Sequence, residues 1–209
     1  LARQHGAVNL GQGFPDFDGP DVLKQSAQHA IAGHRNQYAQ SQGEPELRRA
    51  IAEHAKRFYG MEVNPDTEVT VTTGATDALF SAMQAFIEPG DEVIVFQPFY
   101  DLYVPAILMA GGIPVAVTLN APDFRFYPME LQAAFSPKTK AILINTPHNP
   151  TGTVFTMQEM MMIAELCQEH DVLAITDEVY EHIIFTGTTH RRIATIPGMQ
   201  DRTLTISSA

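Results

Sequence analysis

The chain has 209 residues, 44% of them apolar and 18% charged, a composition that suits a globular protein able to bury a sizeable core. Its formal charge of −11, with 13 basic against 24 acidic residues, argues against a nucleic-acid partner, so an anionic ligand must be held by backbone N–H groups or a few placed side chains. One cysteine, Cys167, excludes an internal disulfide framework and fits a reducing, cytoplasmic setting, while no apolar run approaches membrane-spanning length and nothing at the start reads as a signal peptide.

Residues 1–38 gather Gly11, Gly13, Pro15, Gly19 and Pro20 around two Asp, and read as an arm or a piece of a second domain. Residues 44–59 are expected to form a helix: Leu47, Ile51, Ala55 and Phe58 share one face, and Gly60 suits the position after the last turn. Residues 68–73 are β-branched and alternating, which predicts a strand, and Gly74-Ala75-Thr76 then opens a helical run over 77–88. Pro89-Gly90-Asp91 makes a turn into a strand at 92–96. A helix follows at 101–110, stopped by Gly111-Gly112, then a strand at 114–119, a short helix at 128–135 and a buried strand at 140–145. Thr156 caps a helix running to His170, which carries Met160, Met161 and Met162 as core packing and Cys167 as a buried structural thiol. Strands at 172–176 and 203–207 complete the series. Apolar strands alternating with helices imply an α/β fold, a mainly parallel sheet covered on both faces.

In such sheets ligands sit outside the carboxyl ends of the strands. Collecting those ends brings together Gly74, Ala75 and Thr76, then Tyr100, the run from Asn145 to Asn149, Asp177 and Tyr180, and Ser208. An acid, an amide and a phenol at neighbouring strand ends suit a flat, polar, nitrogen-containing ring. Asp177 would ion-pair with a protonated ring nitrogen, or be a strand-end carboxylate satisfied by a helix N-terminus. Asn149 and Tyr180 would bond a ring phenolate oxygen, or be a turn Asn and a core Tyr. Tyr100 would stack on the ring, or pack in the core. Gly74-Ala75-Thr76 would close on a phosphate at a helix N-terminus, or be a plain strand–helix turn with Thr76 as cap. Ser208 would add a hydroxyl to that phosphate, or cap a turn.

Other chemistries lack their patterns. There is no P-loop, Gly11-Gln12-Gly13 has no third glycine at dinucleotide spacing, and no nucleophile elbow is present. The eight histidines show no metal-ligand spacing, so no metal is expected and each is read as solvated or structural.

At these residues the chain resembles the class I/II aminotransferases, pyridoxal-phosphate enzymes of fold type I, and within them the kynurenine–oxoglutarate and methionine aminotransferase branch. The resemblance runs end to end. It rests on Asn9-Leu10-Gly11-Gln12-Gly13-Phe14-Pro15-Asp16-Phe17, Asn36-Gln37-Tyr38, Thr73-Gly74-Ala75-Thr76 and Gly90-Asp91-Glu92-Val93. It rests equally on Pro98-Phe99-Tyr100-Asp101-Leu102-Tyr103, Asn145-Thr146-Pro147-His148-Asn149-Pro150-Thr151-Gly152, Asp177-Glu178-Val179-Tyr180-Glu181-His182 and Ser207-Ser208. The resemblance implies a three-layer αβα large domain over residues 32–209, incomplete at its C-terminus, with residues 1–31 forming an arm or part of a small domain.

It further implies pyridoxal 5′-phosphate as cofactor. Gly74, Ala75, Thr76 and Ser208 would bind its phosphate, Tyr100 would stack on the ring, Asn149 and Tyr180 would bond O3′, and Asp177 would pair with the ring nitrogen. Gly13 and Asn149 would lie at the substrate carboxylate. Tyr38 would reach the phosphate in the other subunit, implying a homodimer with shared active sites. The substrates would be an L-amino acid (methionine, aromatic or kynurenine-like) and a 2-oxo acid, with Phe14, Phe17 and Tyr103 hinting at apolar or aromatic side chains. The family's Schiff-base lysine follows a Ser-Ser-x-Ser run, so it is expected just after Ala209. Lys24, Lys56, Lys138 and Lys140 all lie outside the strand-end cluster, and no catalytic residue is assigned within the chain. Two other functions are compatible with the same residues: a C–S β-lyase of this fold, and an inactive or regulatory aminotransferase-like module.

Overall fold

The computed structural model describes residues 1–9, 13 and 15–208. It divides into two compact units, Leu1–Ala39 and Gln40–Ala209. The first holds two helices, α1 (Ala2–His5) and α2 (Asp21–Ala32). Neither buries a residue. The Gly11-Gln12 pair and Phe14 lie outside the described residues.

The second unit is built on a five-stranded sheet in the order β2-β1-β3-β4-β5. Its strands are β1 (Glu92–Gln97), β2 (Ile113–Thr118), β3 (Thr139–Asn145), β4 (Leu173–Asp177) and β5 (Thr203–Ile206). Every neighbouring pair is parallel, so all five carboxyl ends lie along one edge. The strand order reverses between β1 and β3, which makes the crevice beside their ends the expected ligand position.

Alternation along the strands sends side chains to two apolar layers. On one face Ile94, Phe96, Ile142, Ile144 and Ala174 meet α6 (Pro128–Ala134) and α7 (Met157–His170) through Leu131, Met160, Ile163 and Cys167. On the other, Val93, Val95, Ala141, Leu143 and Ile175 meet α4 (Gly74–Phe86) and α5 (Tyr103–Met109) through Leu79, Met83, Ala106 and Ile107. The result is a three-layer αβα unit whose strands are buried on both faces, as near-continuous apolar runs require.

Four local expectations meet a different outcome. Residues 68–73 form no sheet strand; the Val71 N–H donates to the Gln42 carbonyl at 2.9 Å, an isolated bond in place of a ladder. β propensity there fits an extended segment but does not supply a strand partner. Helix α3 (Pro45–Tyr59) ends on Gly60 in the left-handed conformation, φ 67°, as the sequence suggests. Its apolar stripe, however, leaves Leu47, Ile51 and Phe58 exposed, and the buried positions are Ala55 and Arg48. The buried Arg48 guanidinium is compensated by donating to the carbonyls of Gly43 and Pro65, at 3.2 and 2.7 Å, and to Gln40 Oε1 at 3.2 Å, with Asp66 Oδ1 3.6 Å away. Helix α4 starts at Gly74 rather than at residue 77. Of the three methionines in α7, Met160 is core and Met162 packs beside it, but Met161 is exposed.

Cys167 is fully buried, and burial pushes its thiol up to about 12, which fits an inert core residue. Thr156 caps α7 in a reciprocal capping box: its Oγ1 accepts from the Glu159 N–H at 3.2 Å, and Glu159 Oε2 accepts from the Thr156 N–H at 2.7 Å.

Candidate functional site

β3 and β4 pair so that Asn145 lies opposite Asp177. The buried Asn145 side chain welds the two strand ends together. Its Nδ2 donates to the Asp177 carbonyl at 2.9 Å and to the Pro147 carbonyl at 3.3 Å, and its Oδ1 accepts from the Asn149 N–H at 2.7 Å. Asn149 is therefore set relative to Asp177 through one intervening amide. In the same turn His148 is buried: Nδ1 lies 2.8 Å from Thr151 Oγ1, and burial lowers the imidazole to about 4, against the opposing effect of a bond to the Pro98 backbone.

Asp177 is the last residue of β4 and is 6% exposed. The Tyr103 hydroxyl donates to Oδ2 at 2.6 Å, and the Val179 N–H donates to Oδ1 at 3.3 Å. Among the described residues no Arg, Lys or His pairs with it. Burial raises its pKa, and the two hydrogen bonds only partly offset that. The Tyr103 phenol is in turn driven upward by burial and by the adjacent carboxylate. The Tyr100 ring meets Tyr103 edge-on with centroids 5.6 Å apart, and it is half-exposed, as is Tyr180. Asn149 and Tyr180 line an open groove of about 480 Å³, together with Ile183, Ile184 and Phe185.

Gly74, Ala75 and Thr76 form the first turn of α4, whose leading N–H groups have no partner within the helix by geometry. Gly74 sits at φ +82°, a conformation that side chains avoid, and a Cβ there would meet nothing within 4 Å. The Gly74 N–H itself turns back to the Thr72 carbonyl at 2.8 Å, leaving Ala75 and Thr76 as the outward donors. Thr76 is not the cap; Thr73 holds that position, and its N–H is taken by Asp77 Oδ2 at 3.0 Å. Ser208 is exposed just beyond β5, and its neighbour Ser207 donates to Glu181 Oε1 at 2.5 Å.

Among the predicted site residues, Tyr100, Asn149, Asp177, Tyr180 and Ser208 thus all follow or end a strand on one edge. Gly13 and Tyr38 belong to the other compact unit; both are exposed. Phe17, in that unit too, is exposed. Lys138 and Lys140 lie at the amino end of β3, away from this edge, while Lys56 pairs with Glu62 at 2.8 Å and Lys24 with Asp21 at 2.8 Å.

Sequence reasoning missed three features. Tyr103 was a hint of an aromatic-tolerant pocket, whereas its ring is buried and its hydroxyl serves Asp177. Arg192 carries no motif signal in the sequence. It instead sits buried behind the Asp177–Tyr180 turn, with Nε donating to Glu178 Oε2 at 2.9 Å, Nη2 donating to Glu181 Oε2 at 2.9 Å, and its guanidinium 4.1 Å over the Tyr59 ring. His190 Nε2 lies 3.1 Å from Glu178 Oε2 in the same cluster. Finally, the histidines are not all solvated or solitary: His54 and His182 face each other with Nε2 atoms 2.7 Å apart. Only the Asp-Glu-x-x-Glu spacing signalled any of this from the sequence, since a carboxylate cluster at a buried strand end calls for a cation.

Residues 5–208 match the family described as Aminotransferase class I and II. The chain belongs to the class I and II aminotransferases. It is 46% identical to kynurenine–oxoglutarate transaminase 3 of Mus musculus over 220 aligned positions, covering 100% of this chain and 48% of that protein. Among solved structures, it is similar to N-succinyldiaminopimelate aminotransferase from Mycobacterium tuberculosis, with a TM-score of 0.96 and 48% identity over 100% of this chain and 55% of that one. It is also similar to an Escherichia coli protein with a methionine aminotransferase function, with a TM-score of 0.95 and 43% identity over 99% of this chain and 55% of the other. The chain spans about half the length of the curated relatives it matches. The three-layer sheet architecture expected of this family is the one observed. No described helix is long and apolar enough to cross a membrane.

Proposed function

We propose that the chain forms the cofactor-holding part of a pyridoxal 5′-phosphate-dependent aminotransferase, which moves the amino group of an L-amino acid to a 2-oxo acid. The observation that carries this reading is Asp177, a buried carboxylate with a phenol and a peptide N–H for partners and no cation among the described residues. A protonated pyridine nitrogen supplies the missing positive charge, so the residues fit the group. When bound, the cofactor supplies an electron sink for chemistry at the substrate α-carbon.

The chain's own residues divide the work of holding and tuning. Asp177 keeps the proton on the ring nitrogen, because an opposite charge beside it favours the charged form. Asn149 and Tyr180 hydrogen-bond O3′, and Tyr100 stacks on the ring. Ala75 and Thr76 offer N–H groups at the start of α4, with Gly74 admitting the phosphate close to the backbone and Ser208 adding a hydroxyl. Gly13 and Asn149 lie at the substrate carboxylate. Tyr38 reaches the phosphate in a second copy of the chain, making the protein a homodimer with shared sites. Residues 1–31 contribute to a small domain and 32–209 to the large one. The protein works in the cytoplasm, in keeping with its lone, buried thiol. Relatives named for kynurenine, methionine and aromatic substrates support methionine, kynurenine-like or aromatic amino acids as amino donors, beside others named for N-succinyldiaminopimelate and aspartate.

The test is to incubate the intact protein with pyridoxal 5′-phosphate, methionine or kynurenine, and a 2-oxo acid. Appearance of the amino acid corresponding to the added oxo acid supports the reading. Pyruvate release from cystathionine without an acceptor would make the protein a C–S β-lyase instead, and neither product would mark a non-catalytic module.

A further inference from the structure

His54, in the middle of α3, and His182, in the turn after β4, come from positions 128 apart in sequence, yet their Nε2 atoms approach to 2.7 Å. The rings cross nearly at right angles, 83°, with centroids 5.0 Å apart. Phe58 packs against both, with centroids 4.7 Å from His54 and 4.8 Å from His182, so the two imidazoles are held in register by a shared aromatic neighbour. A carboxylate oxygen of Glu181 completes a triangle in which all three ligand atoms lie within 4.8 Å of one another.

We propose that His54, His182 and Glu181 form a site for a zinc-class divalent cation, separate from the groups assigned to the cofactor. Two imidazole nitrogens and one carboxylate oxygen are a zinc donor set, with the fourth position left to water. Ligand atoms around a tetrahedral zinc stand roughly 3.3 Å apart, given Zn–N bonds of about 2.0–2.1 Å. The imidazole pair is already close to that spacing, and His182, which is exposed, is the ring that can turn to include Glu181.

Glu178 and Glu181 border the cluster and share the guanidinium of Arg192, with the His190 ring also against Glu178 and Arg57 over the Phe58 ring. The Glu181 carboxylate accepts from the Ser207 and Tyr59 hydroxyls and from Arg192 Nη2, which fix it beside the two rings. A bound ion would tie α3 to the turn that carries Tyr180, in place of the direct contact between the two imidazoles.

The experiment titrates the intact protein with Zn²⁺ alone by calorimetry, with Co²⁺ as a spectroscopic probe, and compares H54Q and H182Q. One ion per chain, a raised melting temperature, a tetrahedral Co²⁺ spectrum and at least about a tenfold loss of affinity in each variant support the site. H29Q, which removes an exposed histidine of the first unit, should leave binding unchanged. Glu181 also anchors Tyr59, Ser207 and Arg192, so E181Q is informative only if it folds, and the two surface histidine variants carry the test without it. No binding at millimolar Zn²⁺, or binding that H54Q or H182Q leaves within about twofold, overturns the proposal.

Discussion

The Tyr103 hydroxyl, at the start of α5, donates a 2.6 Å hydrogen bond to Asp177 Oδ2 at the end of β4. The bond joins the helical layer on one side of the sheet to the strand edge where the candidate cofactor site lies. It stabilises the ionised carboxylate against the desolvation that its burial imposes. Tyr103→Phe removes that donor and leaves Asp177 with the Val179 N–H alone, so the carboxyl rises further. A hydrogen bond to a charged group is worth about 1.5–3 kcal/mol, so affinity for pyridoxal 5′-phosphate should fall by roughly tenfold or more. Cofactor titration by absorbance in wild type and variant measures it.

Asp177 also makes a stability prediction for the cofactor-free protein. Its folded-state pKa lies above the unfolded value because the buried charge is penalised, so the folded state holds the proton more tightly. That contribution is fully present at pH below the unfolded value and is lost as pH rises through the folded one. Asp177→Asn keeps the shape, removes the titration and should flatten this loss while sharply weakening cofactor binding. Urea unfolding of both proteins across mildly acidic to neutral pH, without cofactor, shows the difference.

His148 works in the opposite direction. Burial chiefly lowers its pKa to about 4, so the unfolded chain takes up a proton before the folded one does. Stability that is complete above about 6.5, the ordinary histidine value, is lost progressively as pH falls toward 4. A shift of that size corresponds to at most about 3 kcal/mol. His148→Gln should remove this part of the acid sensitivity, seen as a smaller drop in unfolding free energy between neutral and acid pH.

Arg192 pairs with two buried carboxylates, Glu178 and Glu181, and is the only arginine or lysine paired with either among the described residues, the His190 ring lying beside Glu178. Arg192→Met strands both charges, and breaking a buried pair from one side costs about 3–5 kcal/mol. Arg191→Met, on the exposed neighbour, should change stability by about 0.5 kcal/mol or less. Melting temperatures of the two variants, compared with wild type, separate the cases.

Much of the fold could be read because its strands are apolar on both faces and end abruptly in polar residues. Ile142 to Asn145 and Ala174 to Asp177 carry both signals, and they pair in register just where the sequence places the site. Residues 68–73 misled because alternation reports a half-buried extended segment, not the presence of a partner strand. The stripe on α3 misled because helical periodicity finds an apolar face without saying what covers it, while Arg48 is buried through carbonyl acceptors that no local pattern announces. Tyr103 and Asp177 are 74 positions apart and His54 and His182 128 apart, so their contacts arise only from the tertiary fold, which sets α5 on the sheet and α3 beside the turn after β4.

The most direct measurement is the ¹⁵N chemical shift of the pyridine nitrogen in labelled pyridoxal 5′-phosphate bound to the intact protein, in wild type and in Asp177→Ala. A protonated nitrogen in wild type at neutral pH that loses its proton in the variant is the expected result. An unprotonated nitrogen in wild type, or a shift indifferent to Asp177, would contradict the assignment of that carboxylate to the ring.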